Sequence, residues 1–165
     1  EETYLKIISA KTAELFAAAT KVGAIISDVK TKEKEALEFY GRNLGLTFQI
    51  ADDTLDYNSE IKLFGKEIGQ DFYEGKITLP IILLFQKAKE EEKEKLKKIF
   101  FKSIREENDL DYSLSLIKKY DIIKACYQKA QHYINLASNS LSVFNDCREK
   151  DILEDLTSFS LTRNF

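Results

Sequence analysis

The chain has 165 residues, 44% of them hydrophobic and 12% aromatic, enough to bury one substantial core, so a single domain is expected. A net charge of −3 with 32% charged residues offers no electrostatic case for nucleic acid and suggests a soluble, cytoplasmic protein. No apolar run approaches the ~20 residues of a transmembrane segment, and the start carries no secretory signal.

From Thr3 to about Ser27, residues Leu5, Ile8, Ala13, Leu15, Phe16, Ala19, Val22 and Ile26 recur at helical spacing, with Thr3 as N-cap. Lys11-Thr12 lies inside this run; by composition alone the lysine is a solvated surface group. Asp28 to Thr31 is a polar break. Thr31 or Lys32 then starts a central helix that ends near Tyr57 and is roughly 35–40 Å long at 1.5 Å per residue.

Along that helix Gly41, Gly45, Gln49, Asp52 and Asp56 fall within roughly 80° of one another, a stripe small at one end and acidic at the other. Leu37, Leu44, Phe48 and Leu55 flank it on one side, and Phe39, Leu46 and Ile50 lie around the other. A helix apolar nearly all round is expected to be buried. Buried carboxylates are costly without an opposite charge. Asp52 and Asp56 repel at i,i+4, and the dipole of a helix stopping at Asn58 disfavours each anion by about 0.3–1 kcal/mol. A cation would offset this. The plainer alternative is a solvated, fraying helix end, which suits an isolated D-D-x-x-D but fits the apolar flanks poorly.

Between Asn58 and Ile77 the periodicity fails. Gly65, Gly69 and Gly75 are spaced among Lys66, Lys76, Asp71 and Glu74, with too many apolar residues for disorder. Glycines let backbone approach a ligand and lysines supply charge for a phosphate; a surface loop with solvated lysines is the alternative. Thr78-Leu79-Pro80 starts another helix, with the only proline in its first turn. Ala88 to Lys98 is nearly all Lys and Glu, a solvent-facing helix with no assigned function. Ile99–Ile104 and Leu110–Tyr120 read as short amphipathic helices, Asp109 capping the second. A longer helix runs from Asp121 to about Phe144, and Lys150 to Leu161 is the last.

Nothing alternates with period 2, which makes the class all-α, without a second domain or an internal repeat. Cys126 and Cys147 lack metal-ligand spacing and are expected as free thiols packed like small hydrophobes. His132, the only histidine, is expected to be structural and partly buried. The chain contains no methionine and opens directly into a periodic segment, the pattern of a piece from within a larger protein.

The order of these pieces is more specific than any one of them. Lys11-Thr12, Phe48-Gln49, Asp52-Asp53-x-x-Asp56, then G-K-x-x-G-x-D-x-x-E-G-K-x-T-x-P from Gly65 to Pro80, and the ending with Leu153, Leu156, Phe159 and Arg163, together resemble the C-terminal half of the trans-isoprenyl (polyprenyl, octaprenyl-type) diphosphate synthases. The resemblance runs along essentially the whole chain. It implies an all-α helical bundle of the isoprenoid synthase type around a deep cavity, with residues 1–165 forming the C-terminal part of one domain.

It also implies a prenyltransferase that elongates an allylic diphosphate with isopentenyl diphosphate, using Mg2+. By that resemblance Asp52, Asp53 and Asp56 hold the magnesium. Lys11, Gln49 and Lys66 contact the allylic diphosphate with Phe48 on the substrate side, Thr12 lies near the developing carbocation, and Lys76 lies near the mouth. A homodimer is implied for the full-length protein. The family's first aspartate-rich motif and its arginines have no counterpart here, so the chain is expected to be inactive without the missing N-terminal half. The competing expectation is a non-catalytic helical subunit that binds and regulates a complete synthase; the presence of Lys11, Gln49, Asp52, Lys66 and Asp71 favours direct participation. Terpene cyclisation on a related scaffold fits the Lys66 to Pro80 signature less well.

Overall fold

A computed structural model describes residues 1–58 and 68–162, and every regular element among them is helical. Lys66, in the expected glycine-rich loop, and Arg163, near the chain's end, lie outside the described residues. The described chain divides into two compact units. One comprises Glu2–Ala51 together with residues from Gln128 on; the other is built on Asp52–Tyr127.

The first unit begins with α1 (Glu2–Ile8), passes through one π-helical turn (Ser9–Ala13) and continues as α2 (Glu14–Ile26). The sequence predicts one unbroken helix capped by Thr3; the helix instead starts at Glu2, with Thr3 inside it, and is widened in the middle. The buried residues explain the wide turn. Tyr4, Ile8, Ala13, Ala17 and Ala24 are all buried. The step of five from Ile8 to Ala13 would rotate Ala13 off the buried face of a regular α-helix, and a π turn absorbs the extra residue.

The central helix α3 (Thr31–Leu55) meets α2 at a distance that only small residues allow. A Cβ on Gly41 would lie 2.4 Å from the Phe16 carbonyl oxygen, and one on Gly45 would lie 2.6 Å from the Ala13 Cα. Thr20 Oγ1 reaches the Leu37 carbonyl at 2.6 Å. Arg42 pairs with Glu14 and, at 3.3 Å, with Glu38, which Lys21 also meets at 2.6 Å. The Lys21 hydrogen bond, with Arg42 adding, holds the Glu38 carboxyl below the usual carboxylate range. Phe39 is 45% exposed, so the expected burial all round is incomplete. Its place on the helix, roughly 160° from Gly41, turns it away from the packed face.

Tyr40 and Leu44 of α3 form a core with Ala137 of α8 (Ile122–Ser140) and Leu141, which opens a short 3-10 turn, Leu141–Val143. Leu153 of the last helix α9 (Arg148–Thr162) packs on this core, and the Tyr40 hydroxyl donates to its carbonyl at 2.7 Å. His132 is exposed rather than partly buried, because the inward positions of α8 are Ala130, Ile134 and Ala137. Cys126 is buried as expected, but Cys147, just before α9, is exposed.

The second unit holds a short α4 (Gln70–Tyr73), α5 (Leu79–Lys87), α6 (Glu90–Phe101), α7 (Glu107–Lys119) and the first residues of α8. Leu79, Ile81, Leu84, Leu96, Ile117 and Ile122 are buried here, with Phe72 meeting Phe100 edge to face at 5.4 Å. Ile99–Ile104 is not a separate helix. Ile99 to Phe101 completes α6, and Lys102 leaves helical geometry at ψ 140°. Asp109 sits inside α7 rather than at its cap: Glu106 is the N-cap, and Asp109 reaches back to accept the Glu106 N–H at 3.0 Å.

Candidate functional site

In the first unit the widened turn carries Lys11 and Thr12. Thr12 Oγ1 donates to Gln49 Oε1 at 2.7 Å, joining residues 37 positions apart. Gln49 is only 6% exposed, whereas Lys11, one residue before Thr12, is exposed. Phe48 is half-buried, its ring 5.5 Å from that of Phe16. The structure therefore brings Thr12 to Gln49, and both stand beside residues that the sequence marks for the same task.

In the second unit α3 ends at Leu55, three residues before the expected stop, so Asp56 lies just past the last helical residue. Asp53 and Asp56 are buried, at 5% and 2% exposure, and Asp52 is half-exposed. Asp56 organises the turn that follows the undescribed residues: its Oδ2 accepts the Asp71 N–H at 3.0 Å, and its carbonyl accepts the Gly69 N–H at 2.9 Å. Gly69 is left-handed, φ 84°, and a Cβ there would meet the Leu110 side chain at 2.7 Å. This is the backbone freedom for which glycine is suited.

Asp71 in turn holds Lys76, whose Nζ lies 2.9 Å from Asp71 Oδ1 and 2.6 Å from Glu74 Oε2. Glu74 and Asp71 keep the Lys76 ammonium charged well above the usual lysine range. Burial, with Asp56 and Asp71 adding, pushes the Tyr57 phenol up. Glu74 is a partner that sequence reasoning missed. The sequence signal for it is only its place two residues before Lys76; the left-handed Gly75 between them, φ 76°, is what the structure adds.

Among the described residues no three His, Cys, Asp or Glu side chains converge to hold a metal ion by themselves. Magnesium normally takes one or two carboxylates and completes its octahedron with water and substrate oxygens. The half-exposed Asp52, with two further carboxylates within one turn, fits that requirement.

The sequence model of the polyprenyl synthetase family matches residues 1–117. The chain is 35% identical over 163 residues to the short chain isoprenyl diphosphate synthase of Methanothermobacter thermautotrophicus, covering 99% of this chain and 50% of that protein. It is 32% identical over 165 residues to the geranylgeranyl diphosphate synthase of Methanosarcina mazei, covering 100% of this chain and 49% of that protein. The crystal structure of polyprenyl synthase from Caulobacter crescentus CB15, complexed with calcium and isoprenyl diphosphate, superposes with a TM-score of 0.91 at 38% identity. It covers 100% of this chain and 50% of that one. The chain thus spans about half the length of the curated relatives it matches. With the family pattern running through more than half of its residues, this chain belongs to the polyprenyl synthetase family.

Proposed function

We propose that residues 1–165 are the C-terminal part of one synthase domain whose whole protein is a prenyltransferase, extending an allylic diphosphate with isopentenyl diphosphate. Family membership and the names of the relatives support this reading. The calcium and isoprenyl diphosphate held by the Caulobacter synthase support a divalent metal here, and the oxygen donors of Asp52, Asp53 and Asp56 suit Mg2+. When bound, the ion would neutralise charge growing on the departing diphosphate.

The chain's own residues would do the rest. Lys11 and Lys66 supply positive charge to the diphosphate. The hydrogen bond from Thr12 to Gln49 is the observation that carries the reading. It fixes the Gln49 amide by its Oε1 end and so orients the side chain that this reading sets against the diphosphate. The same bond orients the Thr12 oxygen, whose lone pairs can face a developing carbocation. Phe48 and Phe16 supply apolar surface that keeps water from a cationic intermediate. Lys76, tethered by Asp71 and Glu74, would guard the mouth. The full-length protein is read as a cytoplasmic homodimer.

In this reading the chain is inactive alone, because a first acidic motif must come from the other half. The test is to combine the chain with the complementary half of the Methanothermobacter synthase and follow condensation of labelled isopentenyl diphosphate with an allylic primer. Magnesium-dependent product should form only in the mixture, and Asp52→Ala or Gln49→Leu should abolish it. A normal rate from the isolated chain would overturn the requirement for a second half. Product whose yield ignores both substitutions would overturn the residue assignments.

A further inference from the structure

We propose that Arg105 is a positioning residue for the candidate site: it pins the turn Gly69–Lys76 from outside the motif and so sets where Lys76 stands. Lys76 takes both of its carboxylate partners, Asp71 and Glu74, from that same turn, at 2.9 and 2.6 Å. Any drift of the turn therefore moves the cation and its partners together. The turn is built on α4, only four residues long, and a helix that short has no stability of its own. Asp56 fastens its start, through the Asp71 and Gly69 N–H groups. Its end needs a second fastening.

Arg105 supplies it. Past the end of α4 the Gly75 N–H donates to the Phe72 carbonyl at 3.0 Å and the Lys76 N–H to the Asp71 carbonyl at 2.9 Å, the bond pair of a Schellman turn. The next carbonyl, that of Tyr73, accepts from Arg105 Nη1 at 3.4 Å, and Arg105 Nη2 donates to the Phe100 carbonyl at 2.8 Å. One planar fork thus joins the carbonyl ends of α4 and α6, where a cation is favoured. A Cβ on Gly75 would lie 2.9 Å from Nη2 and 3.0 Å from Nη1, so glycine is needed there to admit the guanidinium as well as for its φ of 76°. Arg105 Cζ also lies 5.4 Å from the centre of the Phe100 ring, whose edge-to-face partner is Phe72 of α4. The Glu106 N–H and Lys102, with Arg105 adding, hold the Asp109 carboxyl below the usual carboxylate range, so the guanidinium has a fixed anion near it.

The consequence for catalysis rests on the proposed place of Lys76 near the mouth, whereas the stiffness of the turn does not. Arg105→Gln in the full chain should speed hydrogen exchange at the Gly75 and Lys76 amides by about tenfold or more, while the Asp71 amide, held by Asp56, keeps its rate. In the mixture with the complementary half, the same change should raise KM for the allylic diphosphate by about tenfold with kcat nearly unchanged, and the rise should vanish in a Lys76→Met background. If Arg105→Gln lowers the helical circular dichroism, Arg105→Lys, which keeps the charge near Asp109 but cannot span two carbonyls, takes its place in both measurements. Unchanged exchange at Gly75 and Lys76 would overturn the proposal. So would a KM rise of equal size with and without Lys76, which would mean that Arg105 acts elsewhere. Absence of product from the parent mixture would count against the proposed function, and the exchange rates would still decide whether Arg105 holds the turn.

Discussion

The contact between α2 and α3 and the turn Gly69–Lys76 both place glycine next to candidate site residues, but for opposite reasons. At Gly41 and Gly45 the backbone is ordinary helix, and glycine is required because another helix occupies the space of a side chain. At Gly69 and Gly75 the backbone itself is left-handed, and the turn is pinned by the buried Asp56 carboxylate. The first region is held by shape and the second by directed polar bonds. Shape tolerates no added volume; polar bonds tolerate no lost acceptor.

Volume should therefore matter most in the first region. Gly41→Ala forces a methyl against the Phe16 carbonyl and should cost about 3 kcal/mol by urea unfolding. Gly23→Ala, with nothing within 4 Å of its Cβ in the same unit, should instead stabilise by about 0.5–1 kcal/mol. If the two behaved alike, close helix approach would not be what Gly41 provides.

Acceptor loss should dominate in the second. Asp56→Ala leaves the Asp71 N–H without its carboxylate and should cost about 2 kcal/mol, with faster hydrogen exchange at the Asp71 amide. Gly69→Ala, strained by its φ of 84° and crowded by Leu110, should cost about 1–2 kcal/mol. Thr12→Val removes one hydrogen bond beside the tight helix contact and should cost about 1 kcal/mol, with a changed Gln49 side-chain amide signal by NMR.

The smallest effect concerns pH. Hydrogen bonds from Lys119 and Tyr120, with the Lys89 N–H, pull Glu92 down from 4.5 to about 2. A depressed carboxylate contributes stability that is present above its ordinary value and is lost as pH falls toward the depressed one. Glu92→Gln should therefore be less stable than the parent above pH 4.5, and the gap should close by about pH 2. A gap that persisted in acid would mean that Glu92 acts through packing.

Helix identity was legible because periodicity reports it directly. The span of α3 was read to within three residues, and Pro80 correctly marked the start of α5. Local corrections arose where several partners compete for one residue. Asp109 looks like a cap by type, yet Glu106 starts α7 and uses Asp109 as its third-position acceptor. Lys76 was legible as a cation but not as one already paired with two carboxylates. That pairing depends on the conformations of Gly69 and Gly75, which glycine permits without dictating.

The sequence by itself determined the all-α class and the family, because residue spacing and motif order are properties of the chain alone. Only the tertiary structure decided that Ser9–Ala13 widens into a π turn, that Thr12 bonds Gln49, and that Asp56 binds the Asp71 backbone rather than fraying into water. Each of these requires groups far apart in sequence to compete for one donor, one acceptor or one volume, and that competition is settled only when the helices pack.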